Sequence, residues 1–216
     1  MELNDLRRMV SRGEGMRLEF KRKANHPDKI ARELVAFANS EGGILLIGVD
    51  DDRTIYGCKF PEEDAYAVLT YVEKNCVPAL PMRMERVLMH DSREVLVFHI
   101  KESPDKPHFV LGPEPGAKRQ AFIRVADMSV VASREMVGLM RAEKRSNGVS
   151  LIFGDRERQL MQYLEKAPRI TLDETTRLLG LSRRKASGLL VLLVRAGLLT
   201  IHPGRQGDHF APAPGL

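Results

Sequence analysis

The feature that most limits how this chain can fold is an apolar run at residues 44–49, with the sequence ILLIGV. Gly42 and Gly43 come before it, and three aspartates come directly after it. A short apolar run without polar alternation is typical of a strand that is covered on both faces of a sheet. The chain must therefore build a domain around a central buried strand that ends in an acidic turn.

The neighbouring segments supply further elements of this domain. Residues 17–23 alternate apolar and charged side chains, which predicts a half-buried strand. We expect Asp28 to cap a helix that Gly42 and Gly43 end, and residues 54–57 to form the returning strand of a hairpin. Helices are also predicted at residues 4–12, 62–74 and 133–142, and strands at residues 82–89, 94–100 and 120–124.

Length and composition set the outer limits. With 216 residues the chain can hold two domains, and 29% charged residues are ordinary for a globular protein. No apolar run approaches the roughly 18 residues of a membrane span, and the first residues do not resemble a secretion signal. Cys58 and Cys76 lack the spacing of a zinc site or a disulfide framework, so a reducing cytoplasm fits best.

The last third of the chain is predicted to be a small separate domain. Asp155, Thr171 and Ser182 lie where helix caps would lie, with Gly180 ending the second helix. A hairpin around residues 203–208 is predicted to follow, and three helices followed by a hairpin form a winged helix-turn-helix. We therefore divide the chain into a domain at residues 1–143, a linker at residues 144–150 and a winged-helix domain at residues 151–216.

The excess positive charge lies in this last domain. Residues 151–216 contain ten Lys and Arg against six Asp and Glu, a net +4, whereas residues 1–150 have 24 against 23, a net +1. Arg183, Arg184 and Lys185 fall in the first turn of the third helix, where a helix-turn-helix meets DNA, and Arg205 falls at the wing tip. Three cations there oppose the helix dipole, which favours a polyanionic partner. Duplex DNA is the predicted partner, and a winged helix that binds proteins or dimerises is the alternative.

Three segments of the first domain form a specific combination. They are LEFKRKANHPDKIARELVAFANSEGGILLIGVDDDRTIYGC at residues 18–58, KPH at residues 106–108 and FIRV at residues 122–125. Over about residues 10–140 the chain thereby resembles the Schlafen AlbA-type DNA-binding domain family. The resemblance implies an α+β fold with a mixed sheet. Bacterial members often add a C-terminal winged helix and are described as transcriptional regulators or ATP-binding proteins, and this chain is similar to the first group. Ala126 departs from the family, which usually has glycine after the IRV strand.

The resemblance also implies candidate catalytic residues. Some Schlafen proteins are ribonucleases that use two glutamates and an aspartate, and the matching positions are Glu14, Glu19 and Asp51 or its neighbour Asp50. Three clustered carboxylates can bind a divalent ion that activates water and neutralises a scissile phosphate. Glu19 can equally be an outward strand residue that pairs with Lys21 or Arg124, and the aspartates can simply form a turn.

Cations near these carboxylates form a second candidate site. Lys21, Arg22, Lys23 and Arg124 offer a cationic edge suited to a phosphate backbone, and a solvated strand end is an equal alternative. The glycine pair before residue 44 ends a helix and lacks the GxxxxGK[ST] pattern of a phosphate-binding loop, so we expect neither an ATPase nor a cofactor. His26 and His108 are interpreted as loop or surface residues rather than ligands.

The sequence as a whole predicts a cytoplasmic DNA-binding protein that regulates transcription and binds duplex DNA as a homodimer. The alternative is a metal-dependent Schlafen-like RNase that uses Glu14, Glu19 and Asp51 with Mg²⁺ or Mn²⁺. A pure protein-interaction module would show neither nucleic-acid affinity nor cleavage.

Overall fold

The computed structural model describes residues 1–90, 92–112, 114, 116–143, 151–204 and 206–215. Contacts between residues divide the chain into two units, Met1–Val131 and Ala132–Leu216. None of the described helices is long and apolar enough to cross a lipid bilayer.

The first unit combines helices with strands, in agreement with the predicted α+β class. Its described elements are α1 (Leu3–Ser11), β1 (Leu18–Lys21), α2 (Pro27–Asn39), β2 (Gly43–Ile47), α3 (Pro61–Asn75), β3 (Cys76–Val77), β4 (Met82–Leu88), β5 (Glu94–Ile100), β6 (Phe109–Val110), β7 (Phe122–Val125) and β8 (Met128–Val131).

The apolar run forms β2, which lies inside a four-stranded mixed sheet as predicted. The strand order is β1-β2-β5-β4, with β1 parallel to β2 and the other neighbours antiparallel. Because side chains alternate along a strand, Leu45 and Ile47 enter the core that α2 and α3 cover, while Leu46 enters the core beside α1. Both faces of β2 are therefore buried.

The start of α2 differs from the prediction. The helix begins at Pro27, which follows the cap residue His26, so Asp28 lies in the first turn instead of at the cap. Proline suits this position because the first helical N–H needs no partner within the helix. Asp28 still favours the helix, since a carboxylate in the first turn interacts well with the helix dipole.

The predicted returning strand at residues 54–57 is wrong. The segment makes only a single bridge to the end of the apolar run, between Val49 and Ile55. The carbonyl oxygen of Gly48 accepts hydrogen bonds from the N–H groups of both Tyr56 and Gly57, at 2.8 and 2.9 Å. With φ at +106° for Gly48, the chain folds back too tightly here for a regular ladder.

The glycine pair both closes the end of α2, whose last helical residue is Asn39, and permits close packing. The N–H of Gly42 donates to the carbonyl oxygen of Phe37 at 2.9 Å. A Cβ atom on Gly43 would overlap the ring of Phe37 on α2. Gly42 has a φ of +73°, and a Cβ atom there would lie 2.7 Å from the carbonyl oxygen of Ile100 on β5. Gly42 therefore terminates the helix as predicted, while Gly43 already begins β2, and the neighbouring ring and strand also require both glycines.

Asn39 joins the end of α2 to two later segments. Its Nδ2 donates to the carbonyl oxygens of His108 and Phe122, both at 2.9 Å, and its Oδ1 accepts from the N–H of His108 at 2.7 Å. His108 lies in a loop, as predicted, but its ring is fully buried and its Nε2 lies 2.7 Å from Oγ of Ser103. The three segments that carry the family resemblance therefore meet at one side chain.

The second unit contains four helices and a small antiparallel sheet among its described residues. The elements are α4 (Arg134–Glu143), α5 (Asp155–Lys166), β9 (Ile170–Thr171), α6 (Leu172–Leu179), α7 (Arg183–Arg195), β10 (Leu199–His202) and β11 (His209–Pro212). The strand order is β10-β11-β9. A shared apolar core consists of Leu160, Leu164, Ile170, Leu190, Leu193, Leu199 and Phe210.

Helix caps explain most of the element ends in this unit. Thr171 and Ser182 cap α6 and α7 as predicted, and Gly180 ends α6 with a φ of +59°. The predicted cap at Asp155 is wrong by one residue, because Gly154 holds the extended cap conformation and Asp155 begins α5.

The predicted linker at residues 144–150 lies outside the described residues, so the proposed domain boundary stays a prediction. Helix α4, which that boundary assigns to the first domain, groups with the second unit. It packs on α7, where the space beside Gly138 is filled by Val191.

Candidate nucleic-acid interface and carboxylate cluster

Arg124 on β7 lies at the centre of a buried ionic network. Its Nη1 donates to Oε2 of Glu33 at 2.8 Å, to Oε2 of Glu19 at 3.1 Å and to Oγ of Ser129 at 3.2 Å. Its Nη2 donates to the carbonyl oxygen of Gly15 at 2.7 Å. The side chain has no exposed surface. Arg124 therefore links β1, α2 and the β7-β8 pair by charge as well as by packing.

Glu19 lies between two cations. Its Oε2 pairs with Arg124, and its Oε1 accepts a hydrogen bond from Nζ of Lys21. Lys21 also donates to the carbonyl oxygen of Phe20 at 2.9 Å. The pairing of Glu19 with Lys21 or Arg124, which the sequence left open, is present with both partners at once.

Glu14 lies beside β1 and close to the other two predicted carboxylates. Its Oε1 accepts a hydrogen bond of 2.8 Å from the N–H of Phe20. Burial raises the pKa of Glu14, and the neighbouring charges of Glu19 and Asp51 raise it further. The negative charges of Glu19 and Asp51 therefore both act on Glu14.

The cluster is not a ready set of metal ligands. Within the described part of the chain, no group of three or more His, Cys, Asp or Glu side chains is arranged to hold a metal ion. Both carboxylate oxygens of Glu19 are engaged by cations. A divalent ion would have to displace Lys21, Arg124 or both before Glu19 could become a ligand.

Glu33 belongs to this cluster, and the sequence reasoning did not identify it. It accepts hydrogen bonds from Arg124 and from the hydroxyl of Ser129. Burial and the neighbouring Glu19 carboxylate raise the pKa of Glu33. Glu33 precedes Phe37 by four residues on α2, and the guanidinium of Arg124 lies 4.9 Å from the centre of that ring, so one face of the helix supplies both contacts to Arg124.

The basic run that begins at the last residue of β1 divides into a paired lysine and two exposed side chains. Lys21 is committed to Glu19, whereas Arg22 pairs with Oδ2 of Asp50 at 3.2 Å and lies over the ring of Tyr56. Lys23 is exposed and makes no ion pair with a described residue. Arg22 and Lys23 are both exposed, and Lys23 is the one of the two that no described carboxylate pairs with.

The first turn of α7 carries exposed cations. Arg183 pairs with Asp173 at the start of α6. Arg184 and Lys185 are exposed, and neither forms an ion pair within the described parts of the chain. Arg205, predicted at the wing tip, lies outside the described residues. The basic group that the sequence predicts at this helix start is thus mostly exposed.

Comparison with known proteins identifies a family for the first unit. A family model described as Schlafen, AlbA_2 matches residues 14–133, which is more than half of the chain. The match begins at Glu14 and ends just after β8, so it includes every member of the carboxylate cluster. No curated protein matches the sequence.

Two solved structures show weak overall similarity. The N-terminal domain of a RecG-related protein from Nitrosomonas europaea is 23% identical, with a TM-score of 0.43, and the match covers 62% of this chain and 96% of that one. The DIP2311 protein from Corynebacterium diphtheriae is 18% identical, with a TM-score of 0.44, and the match covers 91% of this chain and 34% of that one. This chain therefore spans about a third of the DIP2311 protein.

Proposed function

The chain belongs to the Schlafen AlbA_2 family, and we propose that it is a cytoplasmic DNA-binding protein that regulates transcription. In this proposal the second unit binds duplex DNA as a winged helix. The first unit adds a further nucleic-acid contact or senses a signal.

The order of elements in the second unit supports a winged helix. Helices α5, α6 and α7 are followed by the β10-β11 hairpin, and β9 pairs with β11 to complete a three-stranded sheet. A turn that contains Gly180 and the cap Ser182 separates α6 from α7, as in helix-turn-helix modules. In such modules the start of the second of these helices enters the major groove.

The observation that carries the proposal is the exposed pair Arg184 and Lys185 in the first turn of α7. Cations at a helix N-terminus interact unfavourably with the helix dipole, so their placement there has a cost in stability. A DNA phosphate would compensate that cost, because it is attracted both to these side chains and to the free N–H groups of the helix.

The test measures duplex binding as a function of salt. We expect the Arg184→Gln, Lys185→Gln variant to bind more weakly. Its plot of log K against log salt should be shallower by about 1.8, since each phosphate contact contributes about 0.9 to the steepness of that plot. The matched control is Arg156→Gln, Lys166→Gln, which removes two exposed cations from α5 and should change the slope little. Equal slopes in both variants would contradict the proposal, and no duplex binding by the unchanged protein would favour a protein-interaction module.

We further propose that the protein acts as a homodimer. One recognition helix contacts few base pairs, and a second copy would read a second half-site about 34 Å away, which raises specificity. Sedimentation velocity with and without duplex DNA tests this. A monomer under both conditions would argue against it.

Cleavage of RNA is the second candidate function. The observation in its favour is that burial, and to a lesser extent the charges of Glu19 and Asp51, raise the pKa of Glu14. The pairing of Glu19 with two cations weighs against it. We therefore rank binding before cleavage.

A further inference from the structure

A pocket of about 360 Å³ lies in the first unit, near the start of α3. It is separate from the carboxylate cluster, since none of Glu14, Glu19, Glu33 or Arg124 lines it. Four cations and two aromatic rings line this pocket. They are Arg22, Lys23, Lys59 and Arg93, and Tyr56 and Phe60.

The pocket is strongly positive. Against its four cations, Asp64 is the single carboxylate among the described lining residues. Arg22 is balanced by Asp50, but Lys23 and Lys59 are exposed and have no ion-pair partner among the residues that the structure describes. Two ammonium groups of this kind can bind a phosphate without first breaking an ion pair.

Of the two aromatic rings of the pocket, that of Phe60 is accessible. Phe60 is 55% exposed although it is large and apolar, and Nζ of Lys59 lies 5.2 Å from the centre of its ring. Tyr56 is covered on one side by Arg22, whose guanidinium carbon lies 4.3 Å from the ring centre. An exposed ring beside cations is the combination by which proteins hold single nucleotides, with the base stacked on the ring and the phosphate on the cations.

Other chemistry fits the pocket less well. Burial raises the pKa of the Cys58 thiol, which also lines the pocket, to about 12, so the thiol stays neutral and is a poor nucleophile. A phosphate alone would use the cations but leave Phe60 exposed. The half-buried Asp64 carboxylate can accept a hydrogen bond from a sugar hydroxyl or a base amino group, which a nucleotide provides and inorganic phosphate does not.

We propose that this pocket binds one unpaired nucleotide, with the base on Phe60 and the phosphate on Lys23 and Lys59. A base inside a duplex is stacked on both sides and cannot lie on the ring, so the pocket should prefer single strands, strand ends or free nucleotides to an intact duplex. The volume suits one nucleotide, because sites for small ligands begin at about 300 Å³. This site differs from the proposed duplex contact on α7, so each can be tested while the other is kept.

The test uses the full chain and fluorescence anisotropy with a labelled single strand of ten nucleotides and with a blunt, fully paired DNA duplex. We expect Phe60→Ala to weaken single-strand binding about tenfold or more and to leave duplex binding unchanged. Tyr66→Ala is the matched control, since Tyr66 is 72% exposed on α3 and does not line the pocket. Lys59→Gln should also weaken single-strand binding, whereas Lys74→Gln, at an exposed position near the end of α3, should not.

Competition identifies the source of the nucleotide. Displacement of the strand by AMP, but not by inorganic phosphate, would show that the pocket binds a free or terminal nucleotide. If AMP does not displace the strand but Phe60→Ala weakens its binding, the pocket binds an internal nucleotide of the strand. Equal affinities of the Phe60→Ala and Tyr66→Ala variants, or equal competition by phosphate and AMP, would overturn the proposal. Loss of duplex binding in the α7 variant alone concerns the duplex contact and leaves this result unaffected.

Discussion

Nη1 of Arg124 lies 2.8 Å from Oε2 of Glu33, although 91 positions separate the two residues in the chain. The same nitrogen binds Glu19 and the hydroxyl of Ser129. Two carboxylates therefore share one buried guanidinium in the first unit, and the fold depends on keeping these charges balanced.

Replacing Arg124 by Met should lower the free energy of unfolding by about 3–5 kcal/mol, because Glu19 and Glu33 would lose their shared buried partner. Urea denaturation followed by circular dichroism measures the change. Arg8→Met is the control: it breaks an exposed ion pair with Asp5 and should cost less than about 1 kcal/mol. Similar losses in the two variants would mean that the network contributes little.

Ala126→Gly should stabilise the protein by about 1 kcal/mol, since a left-handed backbone costs a residue with a side chain about that much. Ala126 has a φ of +55° in the two-residue turn between β7 and β8. Its neighbour Asp127 does not share the positive φ, so Asp127→Gly is the control and should not stabilise. A loss of stability in Ala126→Gly would show that the turn is not strained.

Glu14 should make stability depend on pH. Because burial raises its pKa above the usual 4.5, the folded chain binds this proton more tightly than the unfolded chain does. The stability that the Glu14 carboxyl contributes is therefore fully present below pH 4.5, and it is lost as the pH rises through the pKa of Glu14 in the folded chain. In Glu14→Gln the free energy of unfolding should fall less between about pH 4 and pH 7 than in the unchanged protein. Urea denaturation across this range tests the prediction, and parallel curves would refute it.

We expect tRNA and DNA to stay intact when the protein is added with Mg²⁺ or Mn²⁺, because Lys21 and Arg124 occupy the oxygens of Glu19. Gel electrophoresis of the products is the measurement. Cleavage that disappears in the Glu14→Ala, Glu19→Ala variant would establish the nuclease alternative. Cleavage that persists in this variant would assign the activity to other residues.

Short-range signals in the sequence predicted most elements well. The apolar run at residues 44–49 gave a strand buried on both faces, and β5 has the predicted bounds, Glu94–Ile100. Thr171, Gly180 and Ser182 mark helix ends because their roles depend on neighbouring backbone groups alone. The assignment of Glu14, Glu19 and Asp51 as one catalytic set came from the family resemblance and stays a prediction.

The features that escaped prediction depend on distant contacts. Glu33 joins the cluster only because β7 brings Arg124 to α2, and no local pattern encodes that meeting. Strand β9 is only two residues long and exists through its pairing with β11. The segment after β2 looks like a strand, but the close approach of Gly48 and Gly57 prevents regular pairing.

The contact between Gly43 and Phe37 limits the order in which this sequence can evolve. A side chain at position 43 fits only after the ring at position 37 has become smaller, yet that ring also lies beneath the guanidinium of Arg124. The intermediate sequence would therefore lose an aromatic neighbour of the buried network before it gained freedom at position 43. Mutations at these two positions should show strong epistasis. In a survey of double variants, substitutions at position 43 should be tolerated only where the side chain at position 37 is already smaller.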